Sequence, residues 1–200
     1  LEFRRVLFRS SLVVLRSDGP IFCAGWDLDE IKGVGTFEQA TAIIQSGRKC
    51  LNAIDRLPQV VISVVEDSSF GFGVALLAHS DITVAANNAR IMLPELEHGI
   101  VPASVLGDLV ARVGRARALR WCLAGEVPLG EAVDSGLISE VVDSDQFENE
   151  VRKRIALISK QVPKAVHATK RLSAALKGDQ SGLFAQGDAL AVSMLRGRVE

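Results

Sequence analysis

The chain has 200 residues, of which 48% are hydrophobic and 24% charged, and its formal net charge is -1. This composition is typical of a globular domain, and the near-zero charge argues against a nucleic-acid partner or an anionic membrane surface. No apolar run approaches the about 20 residues that a membrane-spanning helix needs. The three cysteines lie far apart, without the spacing of a zinc site or a disulfide framework, so we expect no metal and a reducing, cytoplasmic location.

The first ten residues, LEFRRVLFRS, differ in character from the rest of the chain. They alternate apolar and basic residues, yet they lack the continuous apolar segment of a secretory signal, and no small-residue cleavage site follows. We interpret residues 1–10 as a non-native leader and base no element of the fold on them.

Buried strands are predicted where short apolar runs are bounded by turn residues. These runs lie at 12–15, 60–65, 82–86 and 91–93. Apolar residues recur with helical spacing over 37–57, and Thr36 with Gln39 forms a capping box at the start of this predicted helix. Pro58 ends it, and a shorter apolar helix is predicted at 74–79.

From Val105 onward the pattern becomes helical. Apolar residues keep a period of about 3.6 over 105–124, and Gly125 can cap the end of that helix. Further helices are predicted at 131–135, 145–160, 163–176 and 183–195. Strands that alternate with helices, followed by a helical region, predict an α/β core with a helical C-terminal portion.

Two segments carry the first chemical signal: FCAGWDL at 22–28 and FGFG at 70–73. Each reads as a strand that stops at a glycine and leads into a turn or a helix. Backbone N–H groups at such a point are left without partners and can face an anion. Two of them that converge would form an oxyanion hole, which stabilises an enolate or a tetrahedral oxyanion. The sequence therefore predicts acyl chemistry.

From residue 12 onward, the chain resembles the crotonase (enoyl-CoA hydratase/isomerase) superfamily. The motifs that carry the resemblance are, in order, FCAGWDL, VISVVEDSSFGFGVALLAHSDITVAANNAR, LPELEHGIVPA and GRARALRWCLAGE with the following EAVDSGLISEVV. The resemblance implies a spiral of ββα turns, C-terminal helices that form a homotrimer or hexamer, and an acyl-CoA thioester substrate. Family members begin with a strand pair ahead of the strand at 12–15, so we expect this chain to be truncated at its N-terminus.

The resemblance divides the chain and implies a set of binding residues. The expected parts are the leader (1–10), a spiral core (11–140) and a helical oligomerisation or lid region (141–200). By similarity, Trp26 and Phe72 supply the two oxyanion N–H groups. Contacts to substrate or coenzyme A are implied for Ala24, Gly25, Asp27, Leu28, Gly71 and Gly73.

Two of these positions carry an open question. Phe72 replaces the middle glycine of the family's G-G-G motif, and its bulk near the acyl pocket bears on the size of the acyl chain. For Asp27, a role as a turn cap and a contact to coenzyme A explain the residue equally well.

The resemblance implies that Glu95 of the LPE motif is the acid–base residue. The family's other glutamate position is occupied by Ala75 here. The resemblance implies that one carboxylate is enough to move a proton between C2 and C4 of an enoyl thioester. We therefore predict an enoyl-CoA isomerase that works through a dienolate, with no cofactor beyond the coenzyme A of its substrate. A hydratase that activates water with Glu95, alone or with His98, is an alternative, as is a weak or inactive acyl-CoA-binding homologue.

Other readings of the reactive residues have less support. His79 with Ser69 and Asp81 suggests a hydrolase triad, but no G-x-S-x-G elbow is present. Cys23 has no adjacent base and is better explained as a small core residue. A nucleotide-binding module is disfavoured because GFG lacks the third glycine of the dinucleotide motif.

Overall fold

A computed structural model describes residues 10–175, in which strands alternate with helices along the first half of the chain. The strands in this range are β1 (Leu12–Leu15), β2 (Ile21–Cys23), β3 (Val60–Val65), β4 (Ser68–Phe70), β5 (Ile82–Ala86), β6 (Arg90–Met92), β7 (Glu126–Val127) and β8 (Glu140–Val142). The helices are α1 (Leu28–Lys32), α2 (Phe37–Asp55), α3 (Phe72–His79), α4 (Ala103–Val113), α5 (Arg115–Ala124), α6 (Leu129–Asp134), α7 (Phe147–Ser159) and α8 (Pro163–Ala175), with a 3-10 helix at Pro94–His98.

Consecutive strands of the chain enter two different sheets. One sheet has the order β1-β3-β5-β8 and the other β2-β4-β6-β7. Within the second sheet β2 pairs with β4 and β4 with β6, both in parallel, whereas β6 and β7 are antiparallel. Each ββα turn of the chain therefore adds one strand to each sheet, which is the spiral core that the resemblance implied. The predicted α/β class is confirmed.

Local sequence explains the long elements. All residues of β3 after Val60 are buried, as expected for an apolar strand covered on both faces of a parallel sheet. The predicted capping box is present at the start of α2: Thr36 Oγ1 accepts from the Gln39 N–H (3.2 Å), and Gln39 Oε1 accepts from the Thr36 N–H (3.2 Å).

The helix predicted over 105–124 is wrong in one respect, because the structure breaks it into α4 and α5. Gly114 lies at the break with a φ of +86°, a conformation that continues neither helix. Its N–H still donates to the Val110 carbonyl (3.1 Å), and the Ala118 N–H donates to the Gly114 carbonyl (3.1 Å). The apolar period runs through the break, so periodicity alone did not reveal it.

The described residues divide into two compact units, 14–57 with 61–154, and 10–13 with 58–60 and 155–175. In the described part of the second unit, His167 Nε2 contacts the Ser10 carbonyl at 3.0 Å and Lys170 Nζ donates to the Gln59 carbonyl at 2.8 Å. The predicted helix at 183–195 lies outside the described residues, and the division at 10 and 140 stays a prediction. Across residues 10–175, none of the helices combines the length and the apolar character that crossing a membrane requires.

Candidate active site

The turn between β4 and α3 leaves a backbone N–H group without a helical partner. Gly71 occupies this turn with a φ of +50°, and its own N–H donates to the Met92 carbonyl at 3.0 Å. Phe72 is the first residue of α3, and the first N–H groups of a helix have no acceptor inside it. A β-carbon on Gly71 would lie only 3.0 Å from Glu95 Oε1. The positive φ thus favours glycine here, and a larger residue would also displace the Glu95 carboxylate.

A second such turn follows β2 and lies against the first. Gly25 has a φ of +90°, and a β-carbon on it would lie 3.2 Å from the Phe70 carbonyl oxygen and 3.7 Å from the Phe72 nitrogen. The parallel pairing of β2 with β4 brings the two turns together. Trp26 and Phe72 both line a cleft of about 80 Å³, and no acceptor among residues 10–175 pairs with either of their backbone N–H groups.

The third parallel strand of the same sheet, β6, leads into the 3-10 helix that carries Glu95. The backbone of this helix is fixed at both ends: the Leu93 N–H donates to the Gly125 carbonyl (2.8 Å) and the Ile100 N–H to the Glu95 carbonyl (2.8 Å). Three neighbouring strands therefore end at the cleft, and each is followed by one part of it.

The environment of Glu95 makes it a stronger base than an exposed carboxylate. Its Oε2 is buried and has no hydrogen-bond partner within residues 10–175. Burial raises the pKa of Glu95, opposed more weakly by its own backbone N–H and by the positive charge of His98. Burial, with the negative charge of Glu95 as a smaller cause, also raises the pKa of Cys122 to about 11. The Cys122 thiol is therefore neutral and adds no charge near Glu95.

An apolar cavity of about 330 Å³ adjoins the cleft. Trp26, Ile31, Glu95 and Ile100 line both spaces, so the carboxylate lies where they meet. The remaining wall comes from Val34, from α2 and from residues 101–103 and 105, and its side chains are all aliphatic. This arrangement fits a ligand with a long apolar part and one polar, reacting end at Glu95.

The other predicted site residues are placed as follows. Ala24, Gly25, Leu28 and Gly71 line the cleft together with Trp26, Phe72 and Glu95. Gly73 lies within α3, where a β-carbon would be 2.5 Å from Ser69 Oγ and 2.9 Å from Cys23 Cβ, so it permits close packing. Asp27 caps α1: its Oδ1 accepts from the N–H groups of Asp29 (2.9 Å) and Glu30 (3.2 Å). The predicted contacts of these residues to coenzyme A stay predictions.

Other acid–base candidates are arranged differently. Ala75 is fully buried in α3, and Glu95 is the only carboxylate among the described residues that line the cleft or the cavity. His98 lines the cleft as well. His79 pairs with Asp55 and Asp108 instead of Ser69 or Asp81, which leaves the triad reading without geometric support. Within residues 10–175, no group of three or more His, Cys, Asp and Glu side chains is arranged to hold a metal ion.

One residue of the site was missed from the sequence. Gly47 lies in the interior of α2, where a β-carbon would be 2.6 Å from the Trp26 ring and 3.0 Å from the Phe72 ring. The two rings contact each other, with centroids 4.9 Å apart and planes inclined by 47°. The available signal was a glycine inside a strongly amphipathic helix, a position where glycine weakens a helix unless close packing requires it.

Comparison with known proteins gives one family. Residues 9–191 match the family model described as enoyl-CoA hydratase/isomerase. A mitochondrial enoyl-CoA hydratase domain-containing protein 3 of Rattus norvegicus is 30% identical over 158 residues, which cover 76% of this chain and 52% of that protein. A probable enoyl-CoA hydratase of Bacillus subtilis is 31% identical over 129 residues, covering 64% of this chain and 50% of that protein. The chain thus spans about half the length of these relatives.

A solved structure agrees with the fold. An enoyl-CoA hydratase of Mycobacterium smegmatis matches with a TM-score of 0.85 at 28% sequence identity. The match covers 92% of this chain and 72% of that chain.

Proposed function

The chain belongs to the enoyl-CoA hydratase/isomerase family, and on that premise we propose that it moves the double bond of an enoyl-CoA thioester, with Glu95 as the base. The observation that carries this proposal is the lone carboxylate. Among the described residues that line the cleft and the cavity, Glu95 alone offers a carboxylate, and it lies beside the turns that bear the Trp26 and Phe72 N–H groups. Double-bond migration needs a single base that removes a proton and returns it to another carbon.

The reaction follows from this geometry in two proton transfers. Glu95 removes a proton from C2 of a 3-enoyl thioester, and the electron pair of that C–H bond passes into the thioester carbonyl to give a dienolate. The N–H groups of Trp26 and Phe72 donate hydrogen bonds to the oxyanion. Glu95 then returns the proton at C4, and the double bond comes to lie between C2 and C3. Loss of one such donor typically costs about 10²- to 10³-fold in rate.

Hydration is the second candidate, and one observation favours it. His98 lines the same cleft, and Glu95 Oε2 has no partner within residues 10–175. A buried polar atom of this kind is where a water molecule binds if the space has further polar neighbours. Glu95 and His98 would then hold the water that adds to a 2-enoyl thioester.

One assay separates these functions. The unaltered chain, Glu95→Gln and Glu97→Gln are each given 3-enoyl-CoA and 2-enoyl-CoA while the absorbance of the conjugated thioester is followed. Glu97 is a matched control, because it lies on the same 3-10 helix but is exposed and does not line the cleft. Isomerisation predicts that absorbance rises with the 3-enoyl ester, that the rate of this rise falls at least about 10²-fold for Glu95→Gln, and that it persists for Glu97→Gln.

Two outcomes would contradict the proposal. A loss of absorbance from the 2-enoyl ester would identify a hydratase. Binding of both esters without turnover by the unaltered chain would identify an acyl-CoA-binding homologue. The homotrimer or hexamer, and the cytoplasmic location, stay predictions, the latter because the rat relative is described as mitochondrial.

A further inference from the structure

Gly47 lies where two aromatic rings of the candidate site meet helix α2. A β-carbon on Gly47 would be 2.6 Å from Cη2 and Cζ2 of Trp26 and 3.0 Å from Cε2 of Phe72. Real side chains essentially never show such short contacts, so any larger residue would have to displace the rings. The two rings also pack on each other, at a centroid distance of 4.9 Å.

The backbone of α2 does not itself require glycine at this position. Gly47 is absent from the set of glycines with positive φ, and it lies in the interior of a 19-residue helix. Alanine favours such a position over glycine when nothing else intervenes. The approach of the rings is therefore the feature that needs a glycine here.

The position of the Trp26 ring affects the size of the apolar space. Trp26 lines both the 80 Å³ cleft and the 330 Å³ cavity, and Ile43 and Ile44 of α2 line the same cavity. Phe72 bounds the Trp26 ring on one side and Gly47 on another. Beyond these two neighbours the ring faces the cleft and the cavity, so a larger residue at position 47 would displace it toward these spaces.

We propose that Gly47 determines the largest acyl group that the cavity accepts, because it seats the Trp26 ring against Phe72 and away from the acyl chain. This inference rests on the proposed function only in assuming that the cavity takes the acyl part of a coenzyme A thioester. A β-carbon at position 47 pushes the indole into the cavity and shortens it. Removal of the Phe72 ring has the opposite effect, because it gives the indole room to retreat.

The test compares affinities for two saturated thioesters, butanoyl-CoA and decanoyl-CoA, by titration calorimetry. The variants are Gly47→Ala, Phe72→Ala and the matched control Gly107→Ala, a helical glycine on α4 where an added β-carbon would have no atom within 4 Å. Each buried methylene is worth about fourfold in affinity, so Gly47→Ala should lower the preference for decanoyl-CoA by about fourfold or more. Phe72→Ala should raise that preference, and Gly107→Ala should leave it unchanged.

An equal loss of affinity for both thioesters in Gly47→Ala would show a merely structural role and overturn the proposal. The proposal would also be overturned if Gly47→Ala kept the same preference for decanoyl-CoA as the control Gly107→Ala. If Gly47→Ala does not fold, an unchanged preference in Phe72→Ala overturns it instead. The calorimetry measures binding and not turnover, so the two proposals can fail separately. If only the isomerase proposal is wrong, the preference for decanoyl-CoA shifts as expected while 3-enoyl-CoA is not converted.

Discussion

Glu95 is half-buried, with its Oε2 atom fully buried, and a histidine lies near it; burial and the histidine affect the ionisation of Glu95 in opposite directions. Burial is the larger cause and raises its pKa, whereas the charge of His98 lowers it. Only the ionised form can remove a proton, so the rate should fall as the pH drops through this raised pKa. The acid limb of kcat/KM should therefore lie above the ordinary carboxyl range.

The contribution of His98 can be measured separately. His98→Gln removes the positive charge, so the pKa of Glu95 should rise further and the acid limb should move to higher pH. A pH profile of kcat/KM on 3-enoyl-CoA measures this shift. An acid limb that stays in place, or moves to lower pH, would show that His98 does not act on Glu95.

The glycine at the helix N-terminus offers a matched pair of substitutions. Gly71 and Gly136 both have positive φ, but only a β-carbon on Gly71 meets a neighbour, Glu95 Oε1 at 3.0 Å. An alanine at either of these positive-φ positions costs about 1–3 kcal/mol in free energy of unfolding. Both variants should lose that stability in urea titrations, and only Gly71→Ala should also lose activity, by about tenfold or more, because it displaces the base. Equal activities in the two folded variants would contradict this.

At the residue scale, short sequence patterns identified positions that the structure brings together, but they missed a residue whose role depends on packing. Glu95, Gly25 and Gly71 were identified from short patterns, and the structure brings them together at one cleft. Gly47 belongs to no such pattern. Its role depends on the rings of Trp26 and Phe72, which lie 21 and 25 positions away in the chain, and only the fold places them beside it.

At the scale of elements, an ionic network joins helices α2, α3 and α4. His79 Nδ1 lies 2.8 Å from Asp55 Oδ1, and its Nε2 lies 3.2 Å from Asp108 Oδ1. Arg48 Nη1 donates to the same Asp108 oxygen at 2.8 Å. The hydrogen bond to Asp108 is the largest cause that raises the pKa of His79, and burial partly opposes it.

This network predicts a stability that depends on pH. A folded-state pKa above the ordinary value of about 6.5 means that protonated His79 stabilises the fold fully below pH 6.5 and progressively less as the pH rises through the raised pKa. His79→Gln should thus lose about 1–3 kcal/mol at pH 5.5 and less at pH 9. Urea unfolding at the two pH values measures the difference. A loss that is the same at both would show that the charge of His79 contributes nothing.

Elements were predicted well where their signal is local. The apolar run of β3 and the capping box of α2 lie within a few residues, and both were identified correctly. The strand that ends at Phe70 was predicted only from the glycine that follows it, because the Ser-Ser-Phe sequence of β4 carries no strand signal of its own. It is a strand only because β2 and β6 pair with it on either side, which is a non-local property.

For the whole molecule, the candidate site is a consequence of parallel pairing in one sheet. β2, β4 and β6 are neighbours, and each is followed by one component: the Gly25–Trp26 turn, the Gly71–Phe72 turn and Glu95. Residues about 70 positions apart therefore meet at one edge. The order of the motifs predicted which residues take part, whereas the distances between them required the sheet register.

Substitution of Leu93 can show whether the packing of the sheet also holds the Glu95 base in position. It is 1% exposed and directly precedes the 3-10 helix that carries Glu95, whereas Leu109 is 0% exposed and lies on α4, which does not carry the base. Truncation of either to alanine should cost about 2–5 kcal/mol in unfolding free energy, measured in urea. A cavity beneath the 3-10 helix lets Glu95 shift, and a displacement of about 1 Å at a reacting group can cost about 10²-fold in rate. At a temperature where both variants remain folded, kcat/KM should fall much further for Leu93→Ala than for Leu109→Ala. If kcat/KM falls equally in Leu93→Ala and Leu109→Ala, Leu93 stabilises the fold without positioning Glu95.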